Sequence, residues 1–168
     1  FPASFTLIAS MNPCPCGYYN HPTKECSCQP FAINRYFSRI SGPLLDRIDM
    51  HIEVVPVPLS EINGEQVEES SAEIRKRVVA ARDIQRRRFE GLDIHCNAMM
   101  NSSMLRTFAP LTKECGELLE RAMQRLNLSA RAYDRIIKVA RTIADLEHKE
   151  NIESQHISEA IGYRSLDR

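Results

Sequence analysis

Four of the chain's six cysteines lie within fifteen residues, as two close pairs. Cys14 and Cys16 are separated by one proline, nine residues follow, and Cys26 and Cys28 are separated by one serine. Two such pairs on a loop can present four thiolates to one tetrahedral zinc ion. Because four thiolates leave no coordination position open, the spacing favours a structural zinc site over a catalytic one.

The same residues leave two alternatives to a four-cysteine site. The cysteines can be reduced thiols in a surface loop, since each pair has one intervening residue where zinc sites more often have two or more. His21 lies between the pairs and can replace a cysteine that is out of reach. Disulfides are disfavoured in the cytosol that we expect for this chain. Cys96 and Cys115 are isolated and are predicted to be core residues.

Two polar residues flank the cysteines. Asn12 follows the apolar run of residues 5–11 and precedes Pro13, which cannot donate a hydrogen bond to a sheet ladder. Its amide is therefore predicted at a strand end, where asparagine commonly satisfies a turn. Arg47 lies between two aspartates. Taken alone, such an arginine is usually part of a surface ion pair worth about 0 to 1 kcal/mol.

Two strands and a helix are predicted to position these residues. The apolar runs 5–11 and 50–57 indicate strands, each closed by proline. Residues 30–39 carry helical periodicity and 44–47 a single turn, with the loop 13–30 between the first strand and the helix. A polar connector is predicted over 59–69.

The rest of the chain is predicted to be helical. A helix over 70–89 has Ile74, Val78, Ala81 and Phe89 on one face, with glutamates near its start and arginines near its end, as the helix dipole favours. Four more helices are predicted from their capping residues and apolar stripes. They run from Asn101 or Ser102 to Phe108, from Thr112 to about Leu126, from Ser129 to Leu146, and from Ser154 to Ile161.

Composition indicates an ordinary soluble globular protein. Hydrophobic residues make up 43% of the 168 residues and charged residues 26%, and 22 basic residues balance 22 acidic ones. No apolar run approaches the roughly 20 residues that span a bilayer, and no signal-type segment opens the chain, so we expect a cytoplasmic protein. The basic cluster within 75–88 can contact phosphates, but a solvated helix face paired with glutamates is the more common explanation.

The polar residues belong to longer motifs that occur together. These motifs are Leu7–Gly17, Arg35-Tyr36, Ser41–Asp49, Ser129–Tyr133 and Ala140–Leu146. In this combination the chain resembles the magnesium-chelatase-like AAA+ ATPases, and within them the bacterial competence-protein ComM/YifB group. The resemblance covers nearly the whole chain and the motifs around Asn12 and Arg47 are the most specific. Two or so strands, helices and the cysteine-rich loop would form the C-terminal remnant of an AAA+ α/β core, followed by an all-helical lid, giving a mixed, mainly α fold.

This resemblance implies domains and residue roles. Residues 1–97 would be the C-terminal part of the core, with the four-cysteine loop at 13–30, and 98–168 the lid. Asn12 falls on sensor 1, whose amide can hydrogen-bond the terminal phosphate or its attacking water. Arg47 falls on the arginine finger, which acts in trans on the neighbouring subunit's ATP. Arg131 matches sensor 2, acting in cis. Arg135 and Arg141 are nearby competitors for this role, and Arg141 is expected to be structural.

The resemblance also implies ligands and partners. The full-length protein would use ATP and Mg²⁺, form a ring, with six subunits expected, and remodel DNA as a branch-migration helicase. None of the six glycines belongs to a phosphate-binding loop, and no acidic pair follows an apolar strand. We therefore expect these Walker motifs upstream of Phe1, and expect the 168 residues alone to be inactive as an ATPase.

Two other functions remain open from the sequence. A nonenzymatic, zinc-stapled helical module could bind nucleic acid or a protein partner. A magnesium chelatase subunit is a further possibility, less favoured because the paired cysteines are not part of that subunit's pattern. An upstream phosphate-binding loop in the gene would favour the motor, and a natural start near Phe1 would favour the module.

Overall fold

A computed structural model describes residues 5–57 and 69–164, and within these ranges the secondary structure is helical. The helices are α1 Pro30–Phe37, α2 Gly42–Leu45, α3 Ser71–Arg88, α4 Ser102–Phe108, α5 Lys113–Arg125, α6 Ala130–Leu146 and α7 Ser154–Gly162, with a 3₁₀ turn at Asn97–Met99. The chain forms two compact units. The first comprises residues 1–41 and 54–64, the second 42–53 and 65–168. The predicted connector falls almost entirely outside the described residues.

The two predicted strands are wrong. Residues 5–11 and 50–57 carry no strand assignment, and neither pairs with a neighbouring strand in the described part of the chain. An extended segment becomes a strand only when a second segment satisfies its backbone hydrogen bonds. Their apolar side chains stay exposed, with Ile8 91% and Val54 87% accessible. The predicted α/β core remnant is therefore not confirmed, whereas the mainly helical character is.

The predicted helices form where their capping residues place them. Short α1 lies in the first unit with Ile33 buried. In the second unit, one side chain before each of four helices accepts a hydrogen bond from the backbone N–H three residues later, which satisfies an otherwise unpaired donor. These capping residues are Ser70, Asn101, Thr112 and Ser129. Helix α7 begins with a reciprocal box between Glu153 and His156.

Helix α6 is the centre of the second unit. It packs against α3, α4, α7 and the 3₁₀ turn, and α5 packs against α7. The buried core includes Phe89, Met100, Leu105, Leu119, Ile136, Ile152 and Ile157. Cys115 is buried in this core as predicted, whereas Cys96 is only partly buried. The predicted domain boundary at 97 and 98 stays a prediction.

Two inward faces predicted from periodicity are partly wrong. Helical spacing from Ala132 puts Leu146 on the inward stripe of α6. Burial instead ends on Ala144 and Asp145, and Leu146, in the last position of the helix, is 39% exposed. On α3 burial begins at Ala81, and Ile74 and Val78 are 44% and 45% exposed. The apolar stripe of α3 thus continues beyond the part of the helix that the other helices cover.

A buried ionic network joins α3 to α6. The carboxylate of Asp145 is fully buried and accepts from Arg88 on α3 through two nitrogens, one at 2.7 Å. Asn97 Nδ2 donates to the same carboxylate at 2.8 Å, and Arg141 Nε donates at 3.1 Å. Both oxygens of the carboxylate therefore accept hydrogen bonds, two arginines balance its charge, and these interactions offset the cost of its burial.

Arg141 has the structural role predicted for it. Its side chain is 2% exposed and donates to the carbonyl oxygens of Glu150 and Lys149 at 2.7 and 2.6 Å. Burial lowers the pKa of its guanidinium and the charge of Asp145 opposes that shift. Arg141 thereby ties the end of α6 to the connection that leads into α7.

Candidate functional site

The structure brings the four paired cysteines together. Their sulfur atoms all lie within 4.8 Å of one another. Cys14 Sγ is 3.3 Å from Cys16 Sγ and 3.7 Å from Cys26 Sγ, and the sulfurs of Cys16 and Cys26 are 3.6 Å apart. In the described residues this is the one group of three or more metal-binding side chains that lie close enough to share an ion.

The loop that carries these thiols is shaped by local hydrogen bonds. The backbone N–H of Gly17 donates to the carbonyl of Cys14 at 3.0 Å, which closes a tight turn. Gly17 has a φ of +84°, a left-handed conformation that glycine adopts without strain. The turn brings the N–H of Tyr19 to 3.3 Å from Cys14 Sγ.

His21 shapes the same loop and is not part of the thiol cluster. Its Nδ1 accepts hydrogen bonds from the backbone N–H groups of Thr23 and Lys24 at 3.2 and 3.1 Å. Tyr18 contacts the His21 ring edge to face, and the ammonium of Lys24 lies 4.9 Å from the centre of the Tyr18 ring. A substitute role for His21 is therefore unnecessary, since four thiols already converge.

The four thiols differ strongly in their tendency to ionise. The backbone N–H of Tyr18 lowers the pKa of Cys16 to about 5, against the opposing effect of desolvation. The backbone N–H of Cys28 also favours the Cys26 thiolate, but desolvation and the adjacent thiols outweigh it and raise the pKa of Cys26 to about 12. Neighbouring thiolates repel one another, and a cation among them removes that repulsion.

Asn12 lies beside the thiol loop. Its side chain is exposed, and a Cβ atom built on Gly17 would lie 4.0 Å from both Cγ and Nδ2 of Asn12. The open side of Gly17, in the turn that Cys14 begins, therefore faces the Asn12 carboxamide. Asn12 is in the first unit, whereas Arg47 and Arg131 belong to the second.

Arg47 is exposed on the turn that follows α2. Its Nη1 donates to the carbonyl oxygen of Pro43 at 2.6 Å, and it forms no salt bridge with a described carboxylate. The surface ion pair with a neighbouring aspartate is therefore not found. A bond to a carbonyl orients the guanidinium and leaves its positive charge uncompensated.

The segment that carries Arg47 is held on α6 and on the end of α7 by contacts that sequence reasoning missed. Asp49 accepts from Arg135 of α6, and Arg164 donates to the carbonyl of Ile48. The N–H of His51 donates to the carbonyl of Tyr163 at 2.7 Å. Of these contacts, only an ion pair between Asp49 and one of several arginines could have been suspected from the sequence.

Arg131 is exposed in the first turn of α6, one helical turn before Arg135. It makes no side-chain hydrogen bond or salt bridge with another described residue. Residues four apart share a helix face, so Arg131 lies on the side of α6 that binds Asp49. Its position suits a residue that must reach out of the bundle.

Four of the seven basic residues of α3 pair with acids, one of them, Arg88, with Asp145. Lys76 pairs with Glu73 at 2.8 Å, and Arg86 with Asp83 at 2.7 Å. Arg77 pairs with Glu69. This arrangement is the solvated, glutamate-paired helix face that the neutral overall charge favours. No helix among the described residues is both long and apolar enough to cross a bilayer.

Comparison with known proteins places the chain in a family. Residues 68–164 match the magnesium chelatase subunit ChlI C-terminal model, and residues 1–62 match the magnesium chelatase subunit ChlI model. The chain therefore belongs to the magnesium-chelatase-like ChlI family.

The relatives refine this assignment. Competence protein ComM of Haemophilus influenzae and uncharacterized protein YifB of Escherichia coli are each 42% identical to the chain over its whole length. A protein of Mycobacterium bovis is 29% identical over 98% of the chain. The chain spans 32% of the length of each of these relatives. The resemblance to the ComM/YifB group is confirmed.

Proposed function

We propose that this chain is the nucleotide-sensing, C-terminal part of an AAA+ ATPase that couples ATP hydrolysis to DNA remodelling. The proposal rests on family membership and on one observation, the exposure of two arginines that have no acidic partner among the described residues. Arg47 and Arg131 are both exposed, and neither is paired with a carboxylate among the described residues. An anionic phosphate can engage such guanidinium groups without first breaking an ion pair.

Three residues have separate roles in ATP binding and hydrolysis. Arg47 extends to the ATP of a neighbouring subunit and stabilises charge that spreads over the transferring phosphoryl group. Arg131 binds nucleotide from the lid. Asn12 donates through its amide to the terminal phosphate or orients the attacking water. The Pro43 contact and the Asp49–Arg135 pair hold the Arg47 segment in place for this task.

ATP and Mg²⁺ need further residues. The guanidinium and amide groups above fit phosphate oxygens, and no carboxylate cluster suited to Mg²⁺ is found in the described residues. The phosphate-binding loop and the magnesium-binding acid would belong to sequence outside these 168 residues. When bound, Mg²⁺ neutralises the phosphates and orients them for transfer.

DNA and a ring of subunits complete the proposal. An arginine finger acts in trans only where subunits adjoin, so the role of Arg47 requires an oligomer, and a hexamer is expected from the resemblance. DNA is likewise expected from the resemblance to the ComM/YifB group. Helix α3 is not proposed as the DNA contact, because four of its seven basic side chains already pair with acids.

ATP hydrolysis by the full-length gene product tests the motor assignment. We expect magnesium-dependent turnover that branched DNA stimulates, and none from the 168-residue chain alone. Phosphate release with and without DNA, on both proteins, measures this. Turnover by the short chain would contradict the assignment, as would a full-length gene product that lacks a phosphate-binding loop.

Arg131→Ala is expected to weaken nucleotide binding by about 10- to 100-fold, because a hydrogen bond to a charged group contributes about 1.5–3 kcal/mol. Hydrolysis should fall as well. Titration with a fluorescent ATP analogue measures the affinity, and Arg121→Ala, an exposed arginine of α5, is the control that should bind normally. Equal affinities in both variants would remove Arg131 from the nucleotide site.

The second candidate is a nonenzymatic module stapled by metal at the thiol cluster. The close approach of four sulfurs favours it as much as it favours the motor, because a structural ion suits either. The experiment above separates the two, since a module has no ATP turnover in any form. A magnesium chelatase subunit would instead support metal insertion into a porphyrin, which a direct insertion assay would detect.

A further inference from the structure

The four sulfur atoms have the spacing of ligands around one ion. With zinc–sulfur bonds of about 2.3 Å, a regular tetrahedron places its sulfurs about 3.8 Å apart. The three distances among Cys14, Cys16 and Cys26 run from 3.3 to 3.7 Å, and Cys28 lies within 4.8 Å of all of them. A disulfide would bring two sulfurs together and leave the others apart. Here every sulfur approaches three others.

A backbone amide also contacts the cluster. The N–H of Tyr19 donates to Cys14 Sγ at 3.3 Å. Such a donor orients and stabilises a thiolate ligand from the second coordination shell. Four ligands that are all sulfur atoms suit zinc, whereas Mg²⁺ and Ca²⁺ require oxygen ligands.

The cluster lies near the residue proposed as a phosphate sensor. A Cβ atom built on Gly17, which closes the turn that Cys14 begins, would lie 4.0 Å from the Asn12 carboxamide. Residues 13–28 contain no helix or strand, so few backbone hydrogen bonds hold this turn. An ion that joins Cys14 and Cys16 to Cys26 and Cys28 closes the loop and limits the positions that Asn12 can adopt.

We propose that Cys14, Cys16, Cys26 and Cys28 bind one structural zinc ion, and that this ion positions Asn12. The metal site stands on the sulfur geometry alone. The positioning of Asn12 deepens the proposed ATPase function and rests on it. Four thiolates fill the coordination sphere, so the ion takes no part in hydrolysis.

Metal content tests the site independently of any activity. Full-length protein purified without chelator should contain about one zinc per chain. Mercurial titration of the thiols should release the zinc as about four thiols react, which needs no variant. Cobalt substitution should give the visible absorption of a tetrahedral thiolate complex. Less than about half an equivalent of zinc, or iron in its place, would overturn the proposal.

Cysteine variants locate the ion. Cys14→Ser and Cys26→Ser remove one ligand from each pair and should each lose the zinc. Cys96→Ser is the matched control, since Cys96 lies outside the cluster and should leave the zinc content unchanged. Retention of a full equivalent in both ligand variants would place the metal elsewhere.

Hydrogen exchange tests the link to Asn12 without ATP. Removal of zinc should speed exchange of amides over 11–28 and leave α6 unchanged. In the ATPase assay, Asn12→Ala combined with Cys14→Ser should be no slower than Asn12→Ala alone, because both changes disable one sensor. Unchanged exchange over 11–28, or additive losses, would refute the link. If the protein binds zinc but never hydrolyses ATP, the metal site stands, and the proposed function fails together with the sensor role of Asn12.

Discussion

Arg47→Ala is expected to reduce ATP hydrolysis by the full-length protein by about 10³- to 10⁵-fold, the contribution of an arginine finger in well-studied nucleotide hydrolases. ATP affinity should stay near that of the unmodified protein. The asymmetry follows from where the arginine acts, since charge on the transferring phosphoryl group develops mainly in the transition state. Single-turnover hydrolysis and nucleotide titration measure the two quantities separately.

The setting of Arg47 makes the substitution informative. Its guanidinium bonds the Pro43 carbonyl and is exposed, so its removal leaves no buried group unpaired. Loss of stability is therefore a poor explanation for loss of rate. Arg47→Lys should recover little, because an ammonium lacks the planar fork that spans two phosphate oxygens. Arg39→Ala, another exposed arginine near α1, should hydrolyse ATP normally.

Mixing subunits tests whether Arg47 acts in trans. A subunit with Arg47→Ala keeps its own Asn12, and a subunit with Asn12→Ala keeps its own Arg47. In a mixed ring the second subunit supplies an arginine to the intact ATP site of the first. The mixture should therefore hydrolyse ATP faster than either variant alone. Normal turnover in Arg47→Ala, or no gain on mixing, would contradict the assignment.

The parts of the fold that depend on residues close together in sequence were predictable. Helix starts at Ser70, Thr112 and Ser129 follow from a capping side chain and the N–H three residues later. Whether residues 5–11 and 50–57 form strands was not predictable, because a strand depends on a partner elsewhere in the protein. The apolar runs are present, but no described segment pairs with them.

The same distinction applies to the site. The gathering of Cys14 through Cys28 was predictable, since the pairs are close in sequence and flank a proline-containing loop. The bond between Asp49 and Arg135 joins residues 86 positions apart, and that between Arg88 and Asp145 spans 57. Several arginines could have met each carboxylate. Only the packing of α3 and the 42–53 segment on α6 selects these two.

Asp145→Ala is expected to destabilise the chain by about 3–5 kcal/mol, the loss typical of a buried ion pair that keeps one charged member. The substitution leaves the guanidinium groups of Arg88 and Arg141, 15% and 2% exposed, without their carboxylate. Asn97 also loses an acceptor at 2.8 Å. Because typical domains are stable by about 5–15 kcal/mol, this loss approaches global unfolding. Equilibrium urea unfolding, followed by circular dichroism, measures the change.

Asp83→Ala is the matched control, since it removes a carboxylate from an arginine on the same helix as Arg88. The Asp83–Arg86 pair is solvent-exposed at 2.7 Å, so its loss should change stability by no more than about 1 kcal/mol. Asp145→Asn should fall between the two, because the amide keeps the shape and one acceptor but not the charge. If Asp145→Ala were as mild as Asp83→Ala, the Asp145 carboxylate would not be the link between α3 and α6. The arrangement of the second unit would then depend on its apolar core alone.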